Sequence, residues 1–161
     1  MEHLPKKQEI ANKMKELYQD GGMISPVMDL AKYIITKCTI DEKPVNHDDL
    51  QIMLYLLQKE ALQHIGLPLH DGIFQAWEQG PMVLEIHDHY SSMGYIRQLC
   101  TDIGNIKGKS FVDEVMSEAE KMKLMGFHHA SIKPDGAWHE IWSKHREEHL
   151  EIPIELIQEK G

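Results

Sequence analysis

The chain has 161 residues, 42% of them hydrophobic and 27% charged, with a formal net charge of −9. That length suits one domain with a single core. The acidic balance argues against nonspecific binding to nucleic acid or to an anionic membrane, both of which favour an excess of Lys and Arg. The two cysteines, Cys38 and Cys100, have no metal-like spacing and read as free thiols in a reducing cytoplasm. Met1 to Leu17 is charged throughout, without the apolar core of a signal peptide. No apolar run approaches the about 18 residues of a membrane span. A cytoplasmic protein without a membrane partner is therefore expected.

In chain order, residues 5–20 read as an amphipathic helix with Ile10, Met14 and Leu17 as its stripe, ended by Gly21-Gly22. Ser25 reads as an N-cap and Pro26 as the first turn of a second helix that carries Val27, Leu30, Ala31, Ile34, Ile35 and Cys38. The third helix, 50–65, has the most apolar pattern in the chain. Leu50, Met53, Leu54, Leu57, Ala61 and Ile65 recur at helical spacing, and Ile52, Tyr55, Leu56 and Leu62 widen the stripe. A helix apolar on most sides belongs in the middle of a core. Asn46 is its expected N-cap, Asp48 and Asp49 place negative charge in its first turn, and Gly66 is its expected stop.

After a loop-like passage, Gly80-Pro81 reads as the seat of a fourth helix running from Pro81 to about Met93, because proline at the first helical position costs no hydrogen bond. Residues 95–109 are the least legible, with a short helix expected around Tyr95 to Cys100. Ser110 and Asp113 resemble a capping box for a helix closed by Gly126. Pro134-Asp135-Gly136 is turn chemistry. Ala137, Trp138, Ile141, Trp142 and His145 form the next helical stripe, and Ile152-Pro153 opens a short terminal helix. The expected fold is mainly α: a compact helical bundle, one domain over 1–161, around a central buried helix, with room for one short β-hairpin or extended segment.

The stretch from Leu50 to Glu85 holds Leu50, Gln51, Leu54, Tyr55 and Gln58, then Gly66, Pro68, Leu69 and Asp71. Ala76, Trp77, Gly80, Pro81, Val83 and Glu85 complete the run. In these residues the stretch resembles the Panacea, or SocA-like, domain. Ile52, His70 and His87 depart from it, standing where lysine, phenylalanine and tyrosine are usual in that family. The match is strongest over 27–93; His129, Trp138 and Ile152 to Ile157 follow the family's C-terminal pattern loosely. The resemblance implies an antitoxin that neutralises a cognate toxin by direct contact, with a Clp-type protease as a further partner for an adaptor role. No cofactor is expected, and the acidic balance argues against a nucleic-acid partner. The signature residues are read as mostly structural, and His70 and His87, the departures, as candidate partner contacts.

The rival reading is a metal-dependent hydrolase. His145-Arg146-Glu147-Glu148-His149 matches the H-x-x-E-H pattern, in which histidines four apart on a helix share a zinc and Glu148 is the base. Glu151, Glu155 or a distant histidine would have to supply the third ligand. Against it stand the short remaining chain and the ease of a chance match in a protein with 11 histidines. The favoured expectation is no metal there, and a solvated helix face. A phage-associated regulator with a partner other than a toxin is a third reading.

His87 and His89 are two apart on a predicted helix and cannot chelate together. His128-His129 reads as a polar loop contact. No nucleophile elbow, phosphate loop or dinucleotide fingerprint occurs. Tyr55, Trp77 and Trp138 read as core aromatics rather than interface anchors.

Overall fold

The computed structural model describes residues 6–17, 24–121 and 124–161; for Leu124 and Met125 only the backbone is described. Among these residues the elements run α1 (Lys6–Leu17), α2 (Val27–Ile40), α3 (His47–His64), β1 (Phe74–Trp77), β2 (Gly80–Val83), α4 (Leu84–Tyr90), α5 (Lys109–Lys121), α6 (Leu124–Ser131), α7 (Ala137–Trp142) and α8 (Ile154–Lys160). The fold is mainly α, with one small antiparallel hairpin. No helix among the described residues is long and apolar enough to cross a membrane.

Helix α3 is the centre. It packs against α1, α2, α4, α5, α6, α8 and β2. Leu50, Leu54, Leu57 and Ala61 are fully buried, and Met53, Tyr55, Leu56 and Leu62 nearly so. Its start is a complete capping box: the Asn46 side chain accepts from Asp49 N at 2.8 Å, and the Asp49 carboxylate accepts from Asn46 N. Its end is the expected glycine stop. Gly66 has φ +82, and its N–H returns to Ala61 O at 3.0 Å.

Two buried glutamines on α3 tie the neighbouring chain to it. Gln58 accepts from Leu69 N (2.8 Å) and His70 N (3.2 Å) and donates to His70 O (2.9 Å). Gln51 accepts from Val83 N (2.9 Å) and donates to Val83 O (3.0 Å). A primary amide offers a donor and an acceptor side by side, as a peptide group does. Each glutamine thus completes backbone groups that would otherwise be buried without partners.

The sequence expectations need correction at several points. The fourth helix does not start at Pro81. Gly80 and Pro81 belong to β2, which pairs with β1 in the register Trp77↔Gly80 to Phe74↔Val83; the helix begins at Leu84. Ala76 is paired with Pro81 and sends its N–H the other way, to Leu150 O at 2.8 Å. Ala76↔Pro81 is therefore a non-hydrogen-bonded pair, where the missing proline N–H costs nothing. Gly80 adopts φ +129, a conformation for which glycine is suited.

Pro26, not Ser25, is the N-cap of α2. The first-turn N–H of Val27 is satisfied by Asp71 Oδ1 at 2.8 Å, while Ser25 Oγ accepts from Lys107 N. No helix forms at 95–100; Ile96 N instead donates to Val45 O at 2.8 Å. Helix α5 starts at Lys109, so Ser110 lies inside it, and Asp113 accepts from the Tyr33 hydroxyl instead of capping. Gly126 and His128-His129 lie within α6, not at a helix end or in a loop. The expected first helix reaches residues at 5 and 18–20 that lie outside the described residues, as does its Gly21-Gly22 stop.

Cys38 and Cys100 are free thiols, and burial raises the Cys38 thiol to about 11.

Gln58→Met should lower the stability by about 3 kcal/mol or more, because three buried backbone groups lose their partners at about 1–3 kcal/mol each. Urea unfolding measures it; a loss below about 1 kcal/mol would mean that the loop finds other partners.

Candidate partner site

The hairpin stands between α3 and the segment before α8. On one side Gln51 holds Val83. On the other, Ile152 N donates to Phe74 O at 2.7 Å and Ala76 N to Leu150 O. Both edges of the hairpin are therefore occupied, and what it carries is held rigidly.

It carries Trp77. The ring is half-buried, not the core side chain expected from the sequence. His149 stacks on it with ring centroids 3.8 Å apart and planes within 8°. His87 lies against it at 4.9 Å, and His47 lies 5.3 Å beyond His87. The Trp77 Nε1–H goes to Gln75 Oε1 at 2.9 Å, and its carbonyl accepts from Trp138 Nε1 at 2.7 Å. Trp138 and Tyr55 are core residues, 7% and 3% exposed.

The hydrogen bonds define the state of the histidines. Gln51 uses its second Nε2–H toward His47 Nε2 at 3.1 Å, so that nitrogen accepts, and the proton sits on Nδ1, 3.1 Å from Asp48 Oδ1. Burial lowers the His47 pKa, which favours this neutral form. His87 Nδ1 is 3.6 Å from Asp88, too far for a hydrogen bond, and finds no partner among the described residues.

Of the two departures proposed as partner contacts, His70 is excluded by its position. It is 1% exposed. Its Nε2–H donates to Leu54 O at 3.1 Å, and its Nδ1 accepts from Gly72 N at 3.0 Å. It is an internal brace between α3 and the loop. His87, half-buried beside Trp77, remains accessible in part.

The H-x-x-E-H residues do not share a helix face. Helix α7 ends at Trp142, and 145–149 is a turn in which Glu147 and His149 take φ +65 and +51. His145 Nδ1 bonds Glu148 Oε2 at 2.7 Å, while His149 turns away onto Trp77. Among the described residues no group of three His, Cys, Asp or Glu side chains could hold a metal ion.

Most signature residues are architectural. Leu50, Leu54, Leu69 and Ala76 are core, Gln51 and Gln58 are the two clips, and Gly66 is the helix stop. Gly80 and Pro81, with Tyr55, also line a cleft of about 430 Å³ between α3, the hairpin and α6. His47, Ser131 and His128, which join this region, were not singled out as its members from the sequence. The spacing of four between His47 and Gln51 was the available signal for their pairing.

No protein-family model matches the chain, and no curated protein and no solved structure matches it.

The His70 brace predicts acid sensitivity. Burial pushes its pKa down from 6.5 to about 4. The unfolded chain then binds more protons than the folded one at intermediate pH. The stability that His70 contributes is complete above pH 6.5 and is lost as pH falls toward 4. The loss is about 3 kcal/mol at about 1.36 kcal/mol per pKa unit. His70→Phe should be less stable at pH 7 yet show a shallower decline over that window by urea unfolding. An unchanged slope would contradict the assignment.

Proposed function

We propose that this chain is a non-enzymatic protein-binding module of the Panacea, or SocA-like, antitoxin kind. It neutralises a cognate toxin by direct contact in the cytoplasm and can deliver that toxin to a Clp-type protease. The reading draws on the Leu50–Glu85 resemblance. The observation that carries it is Trp77: a half-exposed indole held on a hairpin with both edges occupied, beside a cleft bordered by Asp48 and Asp49. Large aromatics on rigid supports are the usual energetic anchors of protein interfaces. An acidic surface suits a basic partner and would speed its encounter with the chain.

The experiment is co-expression with the product of the neighbouring gene, followed by pull-down and a growth assay. The neighbour should be toxic alone and bound and neutralised in the pair, with association slowing as salt rises. Trp77→Ala should keep the circular dichroism of the fold and weaken the complex by about 30-fold, or about 2 kcal/mol, as befits a hot spot. A toxic neighbour that is neither bound nor neutralised overturns the antitoxin reading for that pair. A neighbour that is bound but not toxic favours the regulator reading.

A further inference from the structure

The cleft between α3, β2 and α6 has a definite chemical order. Asp48, Ile52 and Tyr55 lie on one face of α3, four and three residues apart. Asp48 is at the rim, its side chain 82% exposed. Asp49 stands beside it, half-buried. Ile52 and, across the cleft, Pro81 and Met82 make an apolar passage. Tyr55 also lines the cleft. It is 3% exposed, and its hydroxyl is buried with no hydrogen-bond partner among the described residues. A buried hydroxyl left unpaired carries the full penalty of its desolvation, so an occupant that engages it recovers that loss.

The charge is equally one-sided. No lysine or arginine among the described residues lines the cleft. One Asp48 oxygen faces neutral His47, and one Asp49 oxygen faces Asn46 N. No further hydrogen bond to either carboxylate is made among the described residues. Burial, together with the neighbouring Asp48 charge, raises the Asp49 pKa, and a cation placed here would oppose that rise.

We propose that this cleft receives an arginine side chain of the protein partner, its aliphatic stem along Ile52, Pro81 and Met82, its guanidinium between the Asp48–Asp49 carboxylates and the Tyr55 hydroxyl. The proposal rests on the protein-binding reading above and names where that partner's charge is read. Arginine fits better than lysine. Its guanidinium is weakly hydrated and presents five donors in a planar fork, enough for two carboxylates and a hydroxyl. Its stem lies readily along apolar surface.

The test is a titration of the whole chain, followed by amide NMR, with N-acetyl-arginine methylamide. The controls are the citrulline analogue, which keeps the shape and loses the charge, and the lysine analogue. The arginine probe should shift residues 46–52, 79–82 and 128–131 saturably. It should bind about tenfold more tightly than the citrulline probe, a difference worth about 1.4 kcal/mol. Asp48→Asn should remove most of that preference. Tyr55→Phe should weaken the arginine probe severalfold while leaving the melting temperature unchanged or raised, since it deletes an unpartnered hydroxyl. Equal binding of arginine and citrulline, shifts elsewhere on the chain, or no shifts at all overturn the proposal. So does a fall in melting temperature for Tyr55→Phe, which would show that the hydroxyl is already bonded within the protein. If the partner binds and the cleft variants leave its affinity unchanged, the cleft assignment fails while the protein-binding reading stands. If the probe titrates as expected and no protein partner is captured, arginine recognition survives and the partner as its source is overturned.

Discussion

The structure depends on two glutamines pointing out of a buried helix. Helix α3 is surrounded by other elements, so any chain lying against it loses water and must find other partners for its backbone. Gln51 and Gln58 are seven residues apart, about two helical turns, and so lie on nearly the same face. Gln58 holds the loop at Leu69 and His70; Gln51 holds the end of β2 at Val83. Each acts as a short piece of strand edge presented by a helix. Apolar residues at these two positions would bury as much surface and leave five backbone groups unpaired. The glutamines therefore decide where the hairpin sits, and the hairpin decides where Trp77 and the cleft sit.

The histidines follow the same logic. In a sequence with so many, imidazoles suggest metal. In the folded chain, His70 and His47 use one nitrogen as donor and the other as acceptor. That is the pattern of an amide, and it requires the neutral ring. Protonation would set a donor against Gly72 N at His70, and against the Gln51 amide at His47. Burial lowers both pKa values in the direction these bonds need. His149 takes a third role, covering one face of Trp77 through a left-handed backbone conformation uncommon for a residue with a Cβ.

Helix α3 was legible in the sequence because three independent signals agreed: the apolar stripe, the Asn46 cap and the Gly66 stop. The hairpin was legible only in part: room for one short hairpin was expected, but Gly80-Pro81 was read as the start of a helix, not of β2. Proline at a helix start and proline at a non-hydrogen-bonded strand position look the same locally, since both need only that no N–H be missed. The direction of the Ala76 N–H, fixed by Leu150 from a distant part of the chain, distinguishes them. The His145–His149 pattern, read as a solvated helix face, was misplaced for a related reason. Its spacing has chemical meaning only on a helix, and α7 ends three residues before it. Ser25 lost its capping role to Asp71, which is 44 residues from the N–H it serves. The cleft was invisible because α3, the hairpin and α6 meet there only in three dimensions, although Asp48, Asp49 and Tyr55 could each be given a role from local pattern alone.

The arrangement also bears on how binding would be achieved. An interface anchor is effective when little freedom is lost as it docks. Trp77 has little left to lose: its strand is bonded on both edges, its Nε1–H is held by Gln75, its carbonyl by Trp138, and its ring is flanked by His149 and His87. His149 is the exposed member of that group and sits on a turn with two left-handed residues, so it is the part most readily displaced by an incoming surface. Moving it would uncover the indole face without disturbing the hydrogen bonds that orient the ring. A partner on that face would gain a large apolar contact for the cost of one stacked imidazole, while the hydrogen bonds to the indole stay in place.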